Sequence, residues 1–127
     1  MGLFNRFKKI LIVEDDAHLR HAVVDKLKSS GYRVMEAEDG NSGLNMAIKE
    51  RPDLILLDLM LPKMDGLSLL SELRRDDWGK DVPVIVITIL NATDERRAKA
   101  KELNVVEYID KSKYQLDEII QKVKKAL

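Results

Sequence analysis

The sequence predicts an α/β fold: a doubly wound parallel sheet of five strands with helices on both faces. Three observations predict it. Short runs such as Ile10-Leu11-Ile12-Val13 and Val84-Ile85-Val86-Ile87 are apolar at every position, as strands covered on both faces must be. Between the runs lie longer segments whose apolar residues recur at helical spacing. The connections are short, and strand–helix–strand units with short loops return the chain parallel to itself through right-handed crossovers.

The elements follow in order. The first strand is expected at about Lys9 to Glu14. The first helix runs from about Ala17 to Ser30, with Leu19, Val23 and Leu27 on one face and Gly31 as its stop signal. The second strand is Arg33 to Ala37. The second helix starts near Asn41, turns Leu44, Ala47 and Ile48 inward and ends before Pro52. The third strand is Leu54 to Asp58, and a helix after Gly66 buries Leu69, Leu70 and Leu73. The fourth strand is Val82 to Thr88. The fourth helix, about Ala92 to Leu103, is the least hydrophobic. The fifth strand is Val105 to Ile109, and the last helix, from about Tyr114 to the end, carries Leu116, Ile119, Ile120 and Val123 at helical spacing.

Composition narrows the function. The chain has 127 residues, enough for one domain with a core, so residues 1–127 are read as a single unit. Lys and Arg number 22, as do Asp and Glu, so there is no net field for gripping nucleic acid. Without cysteine there is no disulfide, thiol nucleophile or thiolate metal site, and a cytoplasmic location is expected. No apolar run reaches membrane-spanning length. Residues 1–8 form a short basic lead-in expected to pack on the first strand. It lacks a signal-peptide core, and Arg6 stands where a myristoylation pattern needs Ser or Thr.

All the candidate chemistry falls at one sheet end. Ligands of open α/β sheets bind beyond the carboxyl ends of the strands. There the chain places Asp15 and Asp16 after the first strand, Asp58 after the third, Thr88 after the fourth and Lys111 after the fifth. Clustered carboxylates repel one another, so such a pocket suits a divalent cation. Taken singly, each has an ordinary role: Asp as turn former or helix cap, Thr as strand packing, Lys as a solvated charge. Their coincidence at one end outweighs those roles. His18 and His21 are expected to be exposed, and Trp78 to cover an apolar edge.

Four segments, in order, carry a resemblance: Leu11-Ile12-Val13-Glu14-Asp15-Asp16, Asp53 through Gly66, Val84-Ile85-Val86-Ile87-Thr88, and Tyr108-Ile109-Asp110-Lys111. Over nearly the whole chain the sequence resembles the receiver domains of two-component response regulators. The resemblance implies a flavodoxin-like strand order, 2-1-3-4-5. It implies that Asp58 is a phosphoacceptor, attacking phosphorus to make an acyl phosphate. Asp15, Asp16 and Asp58, with the backbone carbonyl of Met60, would hold Mg²⁺ or Mn²⁺. Lys111 and Thr88 would bind phosphoryl oxygens. Thr88 and Tyr108 would form a switch that reshapes the face of the fourth helix, fifth strand and fifth helix.

The implied partners are a sensor histidine kinase or histidine phosphotransfer protein and an unknown downstream protein. The chain would be a monomer or weak dimer and would catalyse only its own phosphorylation and dephosphorylation. With no output domain in the chain, no direct DNA binding is expected. Ser112 replaces the family's usual Pro after the lysine, leaving open whether that peptide is cis, since a non-proline cis bond costs about 3 kcal/mol. Ile89 replaces a small residue beside Thr88 and is a possible gate. Met60 and Leu90, flanking the site, offer no group to orient a hydrolytic water. Asn104-Val105 stand where Gly-Ala is common. Two alternatives are a flavin carrier, disfavoured because Glu14-Asp15-Asp16 would repel a flavin phosphate, and a phosphorylation-independent interaction module.

Overall fold

The computed structural model describes residues 8–91 and 93–127. The lead-in expected over residues 1–8 thus lies almost entirely outside the described residues. Five strands, β1 (Lys9–Val13), β2 (Arg33–Ala37), β3 (Leu54–Leu57), β4 (Val84–Thr88) and β5 (Val105–Asp110), alternate with five helices. The helices are α1 (Ala17–Ser29), α2 (Gly40–Glu50), α3 (Gly66–Arg75), α4 (Glu95–Glu102) and α5 (Leu116–Ala126). All strand pairs are parallel, in the order β2-β1-β3-β4-β5. The order reverses at β1, so the crevice between the β1 and β3 loops is the natural ligand position.

The two-residue period of a strand divides the core. Ile10, Ile12, Leu54 and Leu56 pack with α1 and α5. Leu11, Val13, Ile55 and Leu57 point the other way, to α2, α3 and α4. Every residue of β3 and β4 is buried, which explains their unbroken apolar runs. Trp78 packs half-buried against the second cluster, as expected for a cover over an apolar edge.

Some expectations shift. β4 begins at Val84 rather than Val82, because Val82-Pro83 form its lead-in. On α2 the buried residues are Gly40, Gly43 and Ala47, while Ile48 is exposed. The glycines, not the larger apolar residues, take the tight contact: a Cβ on Gly43 would meet Val13 at 2.7 Å. Ala92 lies outside the described residues, and α4 starts at Glu95 behind its Asp94 cap. α4 buries only Ala100, in keeping with its polar sequence. An extra residue in β5, between the partners of Val84 and Ile85, leaves Val106 exposed on the edge strand. No described helix is long and apolar enough to cross a membrane.

Candidate functional site

The loops at the C-terminal sheet edge begin where the strands end. Val13 pairs with Leu57, so the next residues, Glu14 and Asp58, leave the sheet side by side. The Asp58 amide still donates to the Val13 carbonyl (3.1 Å) and the Glu14 amide to the Ala37 carbonyl (3.0 Å). Both carboxylates are therefore delivered by rigid backbone, and both are buried. Gly66 presses close from behind: a Cβ there would stand 2.2 Å from the Asp58 carbonyl oxygen.

Lys111 Nζ joins the two acids, donating to Glu14 Oε2 (2.7 Å) and Asp58 Oδ2 (2.9 Å). The Lys111 amide donates to the Thr88 carbonyl (2.9 Å), which locks the β5–α5 loop onto the end of β4. Met60 donates its amide to Asp58 Oδ1 (3.0 Å), and its side chain is exposed. Asp15 is exposed, and one oxygen each of Glu14, Asp15 and Asp58 lies within 4.8 Å of the others.

This corrects the expected acidic set. Asp16 is not in the cluster. It is the N-cap of α1, and its Oδ1 accepts from the amides of His18 (3.0 Å) and Leu19 (3.3 Å). Glu14, read from sequence as the strand end and first of the acidic run but not as a metal ligand, takes the inner place. The signal was available in the register, because the residue adjoining Asp58 across β1 and β3 is Glu14.

Electrostatics follow burial. Burial pushes Glu14 from its ordinary 4.5 up to about 7, against the lowering effect of its bonds from Lys111 and the Asp16 amide. For Lys111, burial works against the charge, but the hydrogen bonds to Glu14 and Asp58 outweigh it and hold the ammonium above its ordinary range. One ammonium shared by two carboxylates stays protonated. Among the described residues two buried side-chain atoms lack a hydrogen-bond partner, Glu14 Oε1 and Thr88 Oγ1. Both stand at this sheet end, and buried polar groups are ordinarily satisfied. Three hard oxygen donors and an unpartnered Glu14 oxygen fit Mg²⁺ or Mn²⁺.

Around the pocket, Ile89 is 59% exposed at the rim, directly after Thr88. Leu90, two positions after Thr88, is buried in the second core cluster. Tyr108 is half-buried, its hydroxyl donates to the Arg97 carbonyl (2.9 Å), and the Arg97 guanidinium sits 4.8 Å from its ring centroid. Arg97 also donates to the Leu90 carbonyl (3.3 Å), which ties the tyrosine to the loop after Thr88. Among the described residues there is no cis peptide, so Lys111–Ser112 is trans. The Ser112 amide and hydroxyl both bond Asp110 Oδ1 (2.9 and 2.6 Å) and shape that turn. Asn104 fills the usual glycine place with φ 62°, a conformation asparagine tolerates. His18 and His21 are exposed on α1.

Comparison with known proteins matches this geometry. The family model for the response regulator receiver domain matches residues 10–124. The phosphate regulon transcriptional regulatory protein PhoB of Escherichia coli K12 is 35% identical over 117 residues, 92% of this chain and 50% of PhoB. The chain spans between 36% and 50% of the length of the first curated relatives it matches. The receiver domain of the sensor histidine kinase PA1611 from Pseudomonas aeruginosa, solved with magnesium in its active-site cleft, superimposes with a TM-score of 0.82 at 31% identity. That alignment covers 93% of this chain and 95% of the other. Chemotaxis protein CheY4 of Vibrio cholerae superimposes with a TM-score of 0.86 at 26% identity, covering 95% and 99%.

Proposed function

The chain belongs to the response regulator receiver domain family, and from that premise we propose that Asp58 accepts a phosphoryl group and that the α4–β5–α5 face reports it. The observation that carries this reading is the buried Asp58 carboxylate held 2.9 Å from Lys111 Nζ, with Thr88 Oγ1 unpartnered at the same sheet end. An Asp58 oxygen attacks phosphorus, the bond from phosphorus to the donor breaks, and the electron pair leaves with the donor. With a phosphohistidine donor, the departing group is imidazole. Lys111 keeps a positive charge beside the new acyl phosphate, and the Thr88 hydroxyl supplies a donor to it.

Glu14, Asp15 and Asp58, with the Met60 carbonyl, would hold the divalent cation. When bound, Mg²⁺ would neutralise charge on the phosphoryl oxygens. Asp16 serves the helix instead. Movement of Thr88 toward the phosphoryl group frees the space beside Tyr108. Tyr108 then leaves the Arg97 carbonyl, changing the surface of α4 and β5. The donor is a sensor histidine kinase or a histidine phosphotransfer protein, the receiver is read by a downstream protein, and the only reaction catalysed is the chain's own phosphorylation and dephosphorylation.

The test is incubation with Mg²⁺ and a small acyl phosphate or phosphoramidate, read by intact mass. One phosphoryl group is expected, lost when the metal is chelated and lost in Asp58→Asn. Unchanged labelling of Asp58→Asn would overturn the assignment. No labelling of the wild type would leave the interaction-module reading.

A further inference from the structure

Arg20 is a buried cation that the phosphoacceptor reading leaves unused. It stands on α1 and is 5% exposed. Its guanidinium makes three bonds in one plane. Nε donates to Glu36 Oε1 and Nη2 to Glu38 Oε1, both at 3.0 Å, and Nη1 donates to the Glu14 backbone carbonyl at 2.8 Å. A buried charge is tolerated only when paired. The two carboxylates, with side chains 38% and 73% exposed, supply that pairing from solvated positions. They also aim the third donor, and a planar fork suits this where a single ammonium does not.

That third donor falls on the peptide joining Glu14 to Asp15. Residue 14 is thus held on both sides, with its amide on the Ala37 carbonyl (3.0 Å) and its carbonyl under Arg20. The carboxylates of Glu14 and Asp15 hang from the two ends of this peptide and converge with Asp58. Rotation of the peptide would swing both.

We propose that Arg20 is a positioning residue for the acidic pocket: its bond to the Glu14 carbonyl fixes the Glu14–Asp15 peptide so that both carboxylates meet Asp58 around a divalent cation. This rests on reading the pocket as a divalent-cation site.

Mg²⁺ is titrated into wild type, Arg20→Met, Arg20→Lys and Val23→Ala, with affinity read by calorimetry and by the Mg²⁺-dependent rise in Tm. Val23 is buried in the core on the same helix, so its truncation costs stability without removing the Glu14 bond. Affinity should fall about ten- to a hundredfold in Arg20→Met, as for other residues that orient metal ligands. It should fall less in Arg20→Lys and stay unchanged in Val23→Ala. Wild-type affinity in Arg20→Met overturns the proposal, and so does an equal loss in Val23→Ala. If Arg20→Met does not fold, the double variant Glu36→Ala, Glu38→Ala keeps Arg20 but removes its anchors. It should bind Mg²⁺ several-fold more weakly, and wild-type affinity there overturns the proposal. Absence of any Mg²⁺ response in the wild type overturns the cation-site reading itself.

Discussion

Two cations sit at opposite ends of the same sheet and behave differently. Before β4 and β5, Arg74 donates to the carbonyls of Leu103 (2.8 Å), Gly79 (2.8 Å), Val82 (2.7 Å) and Asn104 (3.1 Å). After β5, Lys111 donates to two carboxylates, while Glu14 Oε1 and Thr88 Oγ1 stay unpartnered nearby. Arg74 closes backbone acceptors that loops would otherwise leave open, which is a structural task. The Lys111 end concentrates buried charge and leaves bonding capacity open, as a site that receives charged groups must. Proximity to a half-buried cation therefore does not distinguish the two ends; unmet bonding capacity beside it does.

The largest effects should separate the two ends. Arg74→Met strands four carbonyls and should lower stability by about 3 kcal/mol, a fall in Tm on the order of 10 °C. Below that Tm, Asp58 labelling and Mg²⁺ affinity should be those of the wild type. Lys111→Met should cut the labelling rate by about a hundredfold with a smaller change in Tm. Calorimetry and intact-mass labelling measure both. Equal loss of labelling in the two variants would break the comparison.

The acidic end should also be sensitive to pH. Glu14 titrates near 7 in the folded protein against 4.5 ordinarily. Between those values the folded state holds a proton that the unfolded chain has released. Stability of the metal-free protein should therefore decline as pH rises from about 4.5 through 7 and then level off. Glu14→Gln should flatten the decline, and Mg²⁺ should offset it in the wild type. Thermal melts in chelator across this range decide it. A decline that persists unchanged in Glu14→Gln assigns the effect to another group.

A smaller effect is expected at the rim. Ile89 is the large apolar side chain exposed beside Thr88. We expect slow labelling by small donors and a long-lived phosphoryl group in the wild type. Ile89→Ala should speed both entry and loss by about fivefold, worth about 1 kcal/mol of barrier. Equal rates in wild type and variant would show that Ile89 only fills space.

The smallest effect concerns the β3–α3 loop, where Lys63 has φ 68°. Lys63→Gly relieves a left-handed conformation but loosens the unfolded chain, for a net gain of about 0.5 kcal/mol. The Lys63–Asp39 pair, at 4.0 Å with Lys63 largely exposed, contributes little against this. Labelling should not change, and a lower Tm would show that the loop holds Lys63 without strain.

Much of this is legible in the sequence. The apolar runs of β1, β3 and β4 announce strands covered on both faces, because a strand that meets water on one face must alternate. Asp58 was legible because a polar residue that follows such a run stands at the sheet edge, and Thr88, the last residue of β4, and Lys111, directly after β5, stand at the same edge. Arg20 and Arg74 were not: their bonds reach backbone carbonyls and carboxylates far along the chain, and a guanidinium within an amphipathic helix reads as solvated. Ile48 was misread for a related reason, since neighbours in space set which apolar residues are covered.

The acidic run after β1 draws the boundary between the two kinds of information. Local sequence determined that carboxylates stand at the end of β1 and that one of them caps α1, because a cap needs only a short polar side chain and the amides two or three residues on. Asp39, Asp65 and Asp94 cap α2, α3 and α4 in the same way. Which of Glu14, Asp15 and Asp16 faces Asp58 was decided by tertiary structure. The Val13–Leu57 register sets Glu14 beside Asp58, Lys111 arrives from β5 to hold them, and Asp16 is left to the helix. Strand register and loop docking join residues distant in the chain, and no local pattern of residue types encodes that joining.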